Sequence, residues 1–139
     1  MLERVRKRMS WPIADHTAYI PIKVHNTVFG KTFPDGDELL LAVLDTGFSG
    51  FVLVPPSIFN GIRLNEMKLL RTRGILADGR SLRLRGAYGS ISIPELDFFE
   101  DGLIETAPGI LETIIGMEAL RKLRVELDGC SEALNTYKC

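Results

Sequence analysis

The chain has 139 residues, 45% of them hydrophobic and 25% charged, with 17 Lys+Arg against 18 Asp+Glu and a net charge of -1. That length allows a single domain with its own core, and the ordinary hydrophobic fraction excludes a disordered or fibrous chain. The balanced charge supplies no overall pull toward nucleic acid or an acidic membrane surface.

Arg4, Arg6, Lys7 and Arg8 against Glu3 make the first ten residues basic. Residues 1–16 read as a solvated N-terminal arm rather than a nucleic-acid or lipid contact. They lack the apolar centre of a secretory signal, and no apolar run in the chain reaches the length of a membrane span, so a cytoplasmic location is expected. Residues 19–25 alternate, with Ile20, Ile22 and Val24 on one face, as a half-buried strand. Pro21 suits an edge or an early strand position. His25 falls on the other face and His16 has no partner spacing, so both are expected at the surface rather than as ligands or bases.

Pro34-Asp35-Gly36-Asp37 reads as a turn. It leads into Leu40-Leu41-Ala42-Val43-Leu44, a wholly apolar strand of the kind buried on both faces. This strand runs directly into Asp45-Thr46-Gly47. An ionised carboxylate leaving the core needs hydrogen bonds or a second group that shares its proton. Glycine lets the backbone turn sharply and lets another backbone come close. Asp-Thr-Gly is also ordinary turn chemistry after a strand. Its company decides the matter.

Phe51-Val52-Leu53-Val54 is a further buried strand, stopped by Pro55-Pro56, and residues 56–59 have room for one helical turn. Residues 69–75 and 81–85 flank Ala77-Asp78-Gly79, a hairpin whose tip is Asp78-Gly79. Leu82 and Leu84 alternate with Arg83 and Arg85, giving that ribbon one apolar and one solvated face. Strands are expected at residues 89–93, at 96–99 and around Leu103-Ile104, separated by Pro94, Gly102 and Pro108-Gly109. Thr113-Ile114-Ile115-Gly116 is a short apolar strand ending in glycine. Residues 117–123 have the Met117, Leu120 and Leu123 spacing of a short helix, residues 124–127 alternate as a strand, and 128–139 form a polar tail. Cys130 and Cys139 lack metal-ligand spacing and a nearby histidine, so no metal or cofactor is expected; both are expected as free thiols in a mesophilic cytosol, a bridge closing a short tail loop being the alternative that thermophile cytosols tolerate. Many short strands with one or two short helices give an all-β, barrel-like single domain over residues 1–139.

An apolar strand ending in Asp45-Thr46-Gly47, a hairpin after it, and Ile114-Ile115-Gly116 before a helix and a last strand resemble the retropepsin-like, single-lobe aspartic proteases. The resemblance covers residues 17–127, and Asp45-Thr46-Gly47-Phe48-Ser49-Gly50 is nearer the cellular prokaryotic members than the viral ones. It implies a closed, barrel-like acid-protease lobe with a flap hairpin and one short C-terminal helix. It also implies catalytic roles for Asp45, Thr46 and Gly47, and substrate contacts from Phe48, Ser49 and the flap tip Ala77, Asp78 and Gly79. Ile114, Ile115 and Gly116 would form the loop packed beneath the site.

Aspartic proteolysis needs two carboxylates that share one proton, one acting as base toward water and the other polarising the scissile carbonyl. This chain has one Asp-Thr-Gly; Asp78-Gly79 and Asp128-Gly129 lack the intervening hydroxyl residue and the preceding apolar strand. The second Asp45 must then come from an identical chain across a two-fold axis. The expected protein is a homodimeric aspartic endopeptidase acting on peptide or unfolded protein, without nucleic-acid or membrane partners. Viral members carry an arginine after the second glycine and a carboxylate two residues after the first. Here those positions are Met117 and Ser49, so no charge is stranded but the interface is held differently. A peptide-binding or assembly module that keeps the fold without turnover is the alternative from another class.

Overall fold

Residues with alternating burial make strands of most of this chain, and the computed structural model describes residues 7–75 and 78–139. Residues 1–6 of the basic arm, and Ala77 of the expected flap tip, lie outside the described residues. In chain order the elements are β1 (Arg8–Pro12), β2 (Tyr19–Asn26), β3 (Lys31–Phe33), β4 (Leu40–Leu44), β5 (Val52–Leu53), α1 (Pro56–Gly61), β6 (Leu70–Ile75) and β7 (Ser81–Ile93). They continue with β8 (Phe98–Thr106), β9 (Ile114–Ile115), α2 (Met117–Leu120), β10 (Leu123–Asp128) and β11 (Ala133–Lys138). The fold is all-β.

The large sheet runs in the order β3-β2-β4-β9-β5-β8-β7-β6. β2 also pairs with β7, Lys23 to His25 against Ser92 to Ser90, which brings the sheet round on itself. Inside it Ile20, Ile22, Val24, Phe51, Phe59, Ile91 and Ile104 form the main core. Burial on this scale supplies the driving force for the fold at about 25 cal/mol per Å² of apolar surface. Pro21 fits β2 without losing a ladder bond. Leu44 N–H donates to the Ala18 carbonyl at 3.0 Å, so the even residues of β2 are the hydrogen-bonded ones facing β4. Pairing to β7 starts only at Lys23.

Several boundaries differ from the sequence reading. β7 is one strand of 13 residues that crosses Gly89, and Gly102 lies inside β8 rather than between strands. A Cβ on Gly102 would sit 2.4 Å from the Phe51 ring, so the glycine there makes room for a core aromatic. His25 is half buried, with its ring nitrogens 2.8 Å from Thr32 Oγ1 and 2.7 Å from Ser92 Oγ. It is a bridging residue between β3 and β7 rather than a free surface histidine. α2 ends at Leu120, and Leu123 opens β10 instead of closing a longer helix.

The chain ends are also strands. β11 pairs antiparallel with β1 on one side and β10 on the other, making a separate three-stranded sheet. The arm of residues 1–16 therefore contains a strand that buries Met9, and the tail of 128–139 is half of a hairpin that buries Leu134. Cys130 and Cys139 are both exposed and free. Among the described residues no helix is long and apolar enough to cross a membrane.

Candidate active site

Asp45 leaves β4 at the centre of the large sheet. β4 lies antiparallel to β2 and parallel to β9, with Val43 opposite Ile114 and Leu44 opposite Ile115. The Val43 N–H donates to the Thr113 carbonyl at 2.8 Å and the Asp45 N–H donates to the Ile115 carbonyl at 3.1 Å. The backbone of the acid is thus fixed by the strand beneath it. Its carboxylate turns back on the loop: Oδ1 accepts the Gly47 N–H at 2.8 Å. This is the Asx turn that an Asp followed by a hydroxyl residue and glycine favours. Asp45 is half buried, while Thr46 and Gly47 are exposed beside it. A carboxylate held this way is aimed by the backbone, with its second oxygen free to meet another group.

The loop beneath is built by close approach. Phe48 O accepts the Met117 N–H at 2.8 Å, Gly50 O accepts the Glu118 N–H at 3.1 Å, and Phe51 O accepts the Gly116 N–H at 2.9 Å. A Cβ on Gly116 would lie 2.4 Å from Gly50 O and 2.7 Å from Phe48 O, so only glycine fits there. Ile114, Ile115 and Gly116 therefore lie directly under the Asp45 loop. Where the viral enzymes place an arginine–carboxylate pair, this chain has main-chain hydrogen bonds from Met117 and Glu118.

Phe48 does not face a substrate. It is 2% exposed and packs with Leu53, Leu84 and Ala107 in a second small core that Leu82, Ile110 and Ile114 flank. An aromatic in that position is accommodated because Gly50 and Gly116 leave a slot for its ring. Ser49 remains exposed. The expected flap is the β6–β7 hairpin: its Leu82 and Leu84 side rests on this second core, which includes Phe48 of the Asp45 loop. At its tip Asp78 Oδ1 accepts the Arg80 N–H at 2.9 Å, and Gly79 has a φ of +85°. The hydrogen bonds from the Arg80 backbone and guanidinium hold the Asp78 carboxyl below the usual carboxylate range.

Sequence reasoning missed Glu105. This residue is 5% exposed, on β8 opposite Gly86 and Leu53, with Oε1 beside Gly50. Thr72 of β6 donates its hydroxyl to the other carboxylate oxygen. Burial raises the Glu105 pKa, the Thr72 hydrogen bond opposes that rise, and the nearby Glu118 charge adds to it. The signal was available in the strand period: Leu103, Glu105 and Ala107 share one face, and two of them are apolar. A groove of about 660 Å³ is lined by Leu69, Arg71, Arg73, Leu84, Ala107 and Pro108 among others; it borders the second core through Leu84 and Ala107, and no residue of 45–50 lines it. Thr46, Gly47 and Ser49 are exposed around the half-buried Asp45, so the loop presents a solvent-facing shelf. Among the described residues there is no cluster of side chains suited to a metal ion.

No family model matches the chain. A protein of Archaeoglobus fulgidus described as uncharacterised is 36% identical over 123 residues, which are 88% of this chain and 95% of that one. Among solved structures, the crystal structure of a retropepsin-like aspartic protease from Rickettsia conorii matches with a TM-score of 0.63 and 17% identity, over 99% of this chain and 97% of that chain. The chain thus belongs to one family with the Archaeoglobus fulgidus protein, and its fold is the retropepsin-like lobe.

Proposed function

We propose that this chain is an aspartic endopeptidase whose active site forms when two copies meet with their Asp45 loops in contact. The observation that carries this reading is the placement of Asp45. Its backbone is fixed by Ile115, one carboxylate oxygen is bound by the Gly47 N–H, and Thr46 is exposed beside it. Two such loops across a two-fold axis bring like carboxyls together, so one holds a proton that the other lacks. The Thr46 hydroxyls are the groups available to link the loops.

In the reaction, the ionised carboxyl takes a proton from water as the water oxygen bonds to the scissile carbonyl carbon. The protonated carboxyl gives its proton to the carbonyl oxygen. In the collapse of the resulting diol the C–N bond breaks, the first carboxyl protonates the departing amine, and a diol hydroxyl returns a proton to the second. The extended peptide would lie between the Asp45 shelf and the β6–β7 ribbon, with Ser49, Asp78 and Gly79 at its margins. β11 offers no free edge for strand pairing across the dimer, because β1 and β10 of the same chain fill both. The 45–49 loops carry the contact in this reading.

The test is cleavage of an unfolded protein in mildly acidic buffer, with sedimentation of the same sample. The expected result is a dimer whose activity follows a bell-shaped pH profile and disappears in Asp45→Asn with the dimer intact. Undiminished hydrolysis by Asp45→Asn would overturn the mechanism. A dimer that binds unfolded peptide through the same loops without ever cleaving it would leave the binding-module alternative.

A further inference from the structure

β6 and β7 are paired with Arg71 opposite Arg85 and Arg73 opposite Arg83. Residues directly opposite share a face of the ribbon, so four guanidinium groups stand on one side. Thr72, Gly74, Leu82 and Leu84 turn the other way, toward the Asp45 loop. Arg71, Arg73 and Arg83 are exposed, and Arg85 lies with its guanidinium carbon 5.6 Å from the centre of the Phe59 ring. Like charges directly opposite destabilise a hairpin. Among the described residues none of the four takes part in an ion pair. The chain nonetheless has 18 acidic residues to set against 17 basic ones. Among the described residues no carboxylate pairs with the cluster to offset its electrostatic cost.

Two further features stand at the same place. All four arginines line the groove of about 660 Å³, together with Leu69, Thr72, Leu84 and Pro108 among others, so the groove reaches past the arginine side of the ribbon. β6 is the last strand of the sheet and, among the described residues, pairs with β7 alone, so its outer N–H and C=O groups are open to another strand. Arginines on an edge strand can serve to discourage such pairing. Arg83 and Arg85, however, lie on the inner strand, where edge protection asks for no charge.

We propose that this face docks an extended acidic segment of a partner protein, added along β6 with carboxylates at alternate positions over the arginines. Strand addition supplies main-chain hydrogen bonds, and alternate residues of the added strand fall on one face. Guanidinium groups match carboxylates in paired hydrogen bonds. Single-stranded nucleic acid fits less well, because no aromatic side chain lines the groove to stack a base. This inference goes beyond the hydrolytic reading, since no residue of 45–50 takes part.

The experiment is fluorescence anisotropy of a labelled peptide alternating Glu and Thr, titrated with the intact protein. The comparison probes are a peptide of the same composition with its Glu residues grouped at one end, a Gln-Thr peptide, and a single-stranded oligonucleotide of equal charge. The alternating peptide should bind, lose affinity as salt rises, and exceed the grouped peptide severalfold; Gln-Thr should not bind. The double variant R73Q/R83Q leaves Arg85 over Phe59 and relieves one like-charge pair, so its thermal melt should not fall below wild type. It should weaken the alternating peptide about tenfold. The proposal is overturned by no binding of the alternating peptide, equal binding of the grouped one, or affinity unchanged in R73Q/R83Q. Tighter, arginine-dependent binding of the oligonucleotide would overturn it too and assign the face to nucleic acid. Binding read in this way does not depend on cleavage, so its failure and the failure of the protease reading are separable.

Discussion

Replacing Gly116 by alanine places a methyl group where the structure has none to spare. The new Cβ would sit 2.4 Å from Gly50 O, 2.5 Å from Phe48 Cδ2 and 2.7 Å from Phe48 O. Two of those neighbours are backbone atoms, and both carbonyls also accept the N–H groups of Met117 and Glu118. The loop has to move away from α2, which stretches both hydrogen bonds. Overpacking of this kind costs about 1–3 kcal/mol, and each weakened bond adds up to about 1 kcal/mol. For a domain of this size, 1 kcal/mol corresponds to about 3–5 °C in melting temperature. Gly116→Ala should therefore melt about 3–25 °C below wild type in calorimetry. Gly61→Ala is the control: nothing lies within 4 Å of its Cβ position at the end of α1, and alanine suits a helix better than glycine. It should melt at or slightly above wild type. A Gly116→Ala protein that melts with wild type would refute the claim that this glycine lets the strand under Asp45 close on the loop above it.

Glu105 has its pKa raised by burial, so the folded state holds its proton more tightly than the unfolded chain. The stability this gives is full below the ordinary value near 4.5 and is lost as pH rises through the raised folded value. Glu105→Gln should then match or fall below wild type in acid and become the more stable protein toward neutrality; parallel melting curves across that window would contradict the placement. His25 is shifted the other way, its pKa lowered by burial and by the charge of Lys23. Its stabilising contribution is present above the ordinary value near 6.5 and lost as pH falls through the lowered folded value. An NMR titration should put its midpoint below 6.5; a midpoint at or above that value would contradict the burial of the ring beside Lys23.

The parts of the site that follow from local pattern were legible. The apolar run of β4, its abrupt end at Asp45, the Asp78-Gly79 tip and the Ile114-Ile115-Gly116 segment can all be read within a few residues of each other. What depends on distant partners was not. Phe48 looks like a loop aromatic until Gly50 and Gly116, 66 residues apart, are seen to make its slot. Gly102 reads as a break, yet it stays in its strand because the Phe51 ring comes too close for a side chain. Met9 and Trp11 alternate with Arg8 and Ser10 as a strand should, but their partner lies at the far end of the chain. A basic arm and a polar tail become β1 and β11 only when paired with each other. Glu105 needed the strand to be extended two residues beyond Leu103 before its position on an apolar face could be noticed.

In the proposed function one active site needs Asp45 from two chains, and mixing subunits puts that requirement to the test. Wild-type protein is incubated with a tenfold excess of Asp45→Asn until chains exchange, and hydrolysis of an unfolded protein is compared with the same wild-type protein alone. With random pairing, only about one wild-type chain in eleven meets another, so the rate should fall about elevenfold. An unchanged rate after verified exchange would mean that a single Asp45 suffices, and would contradict the account.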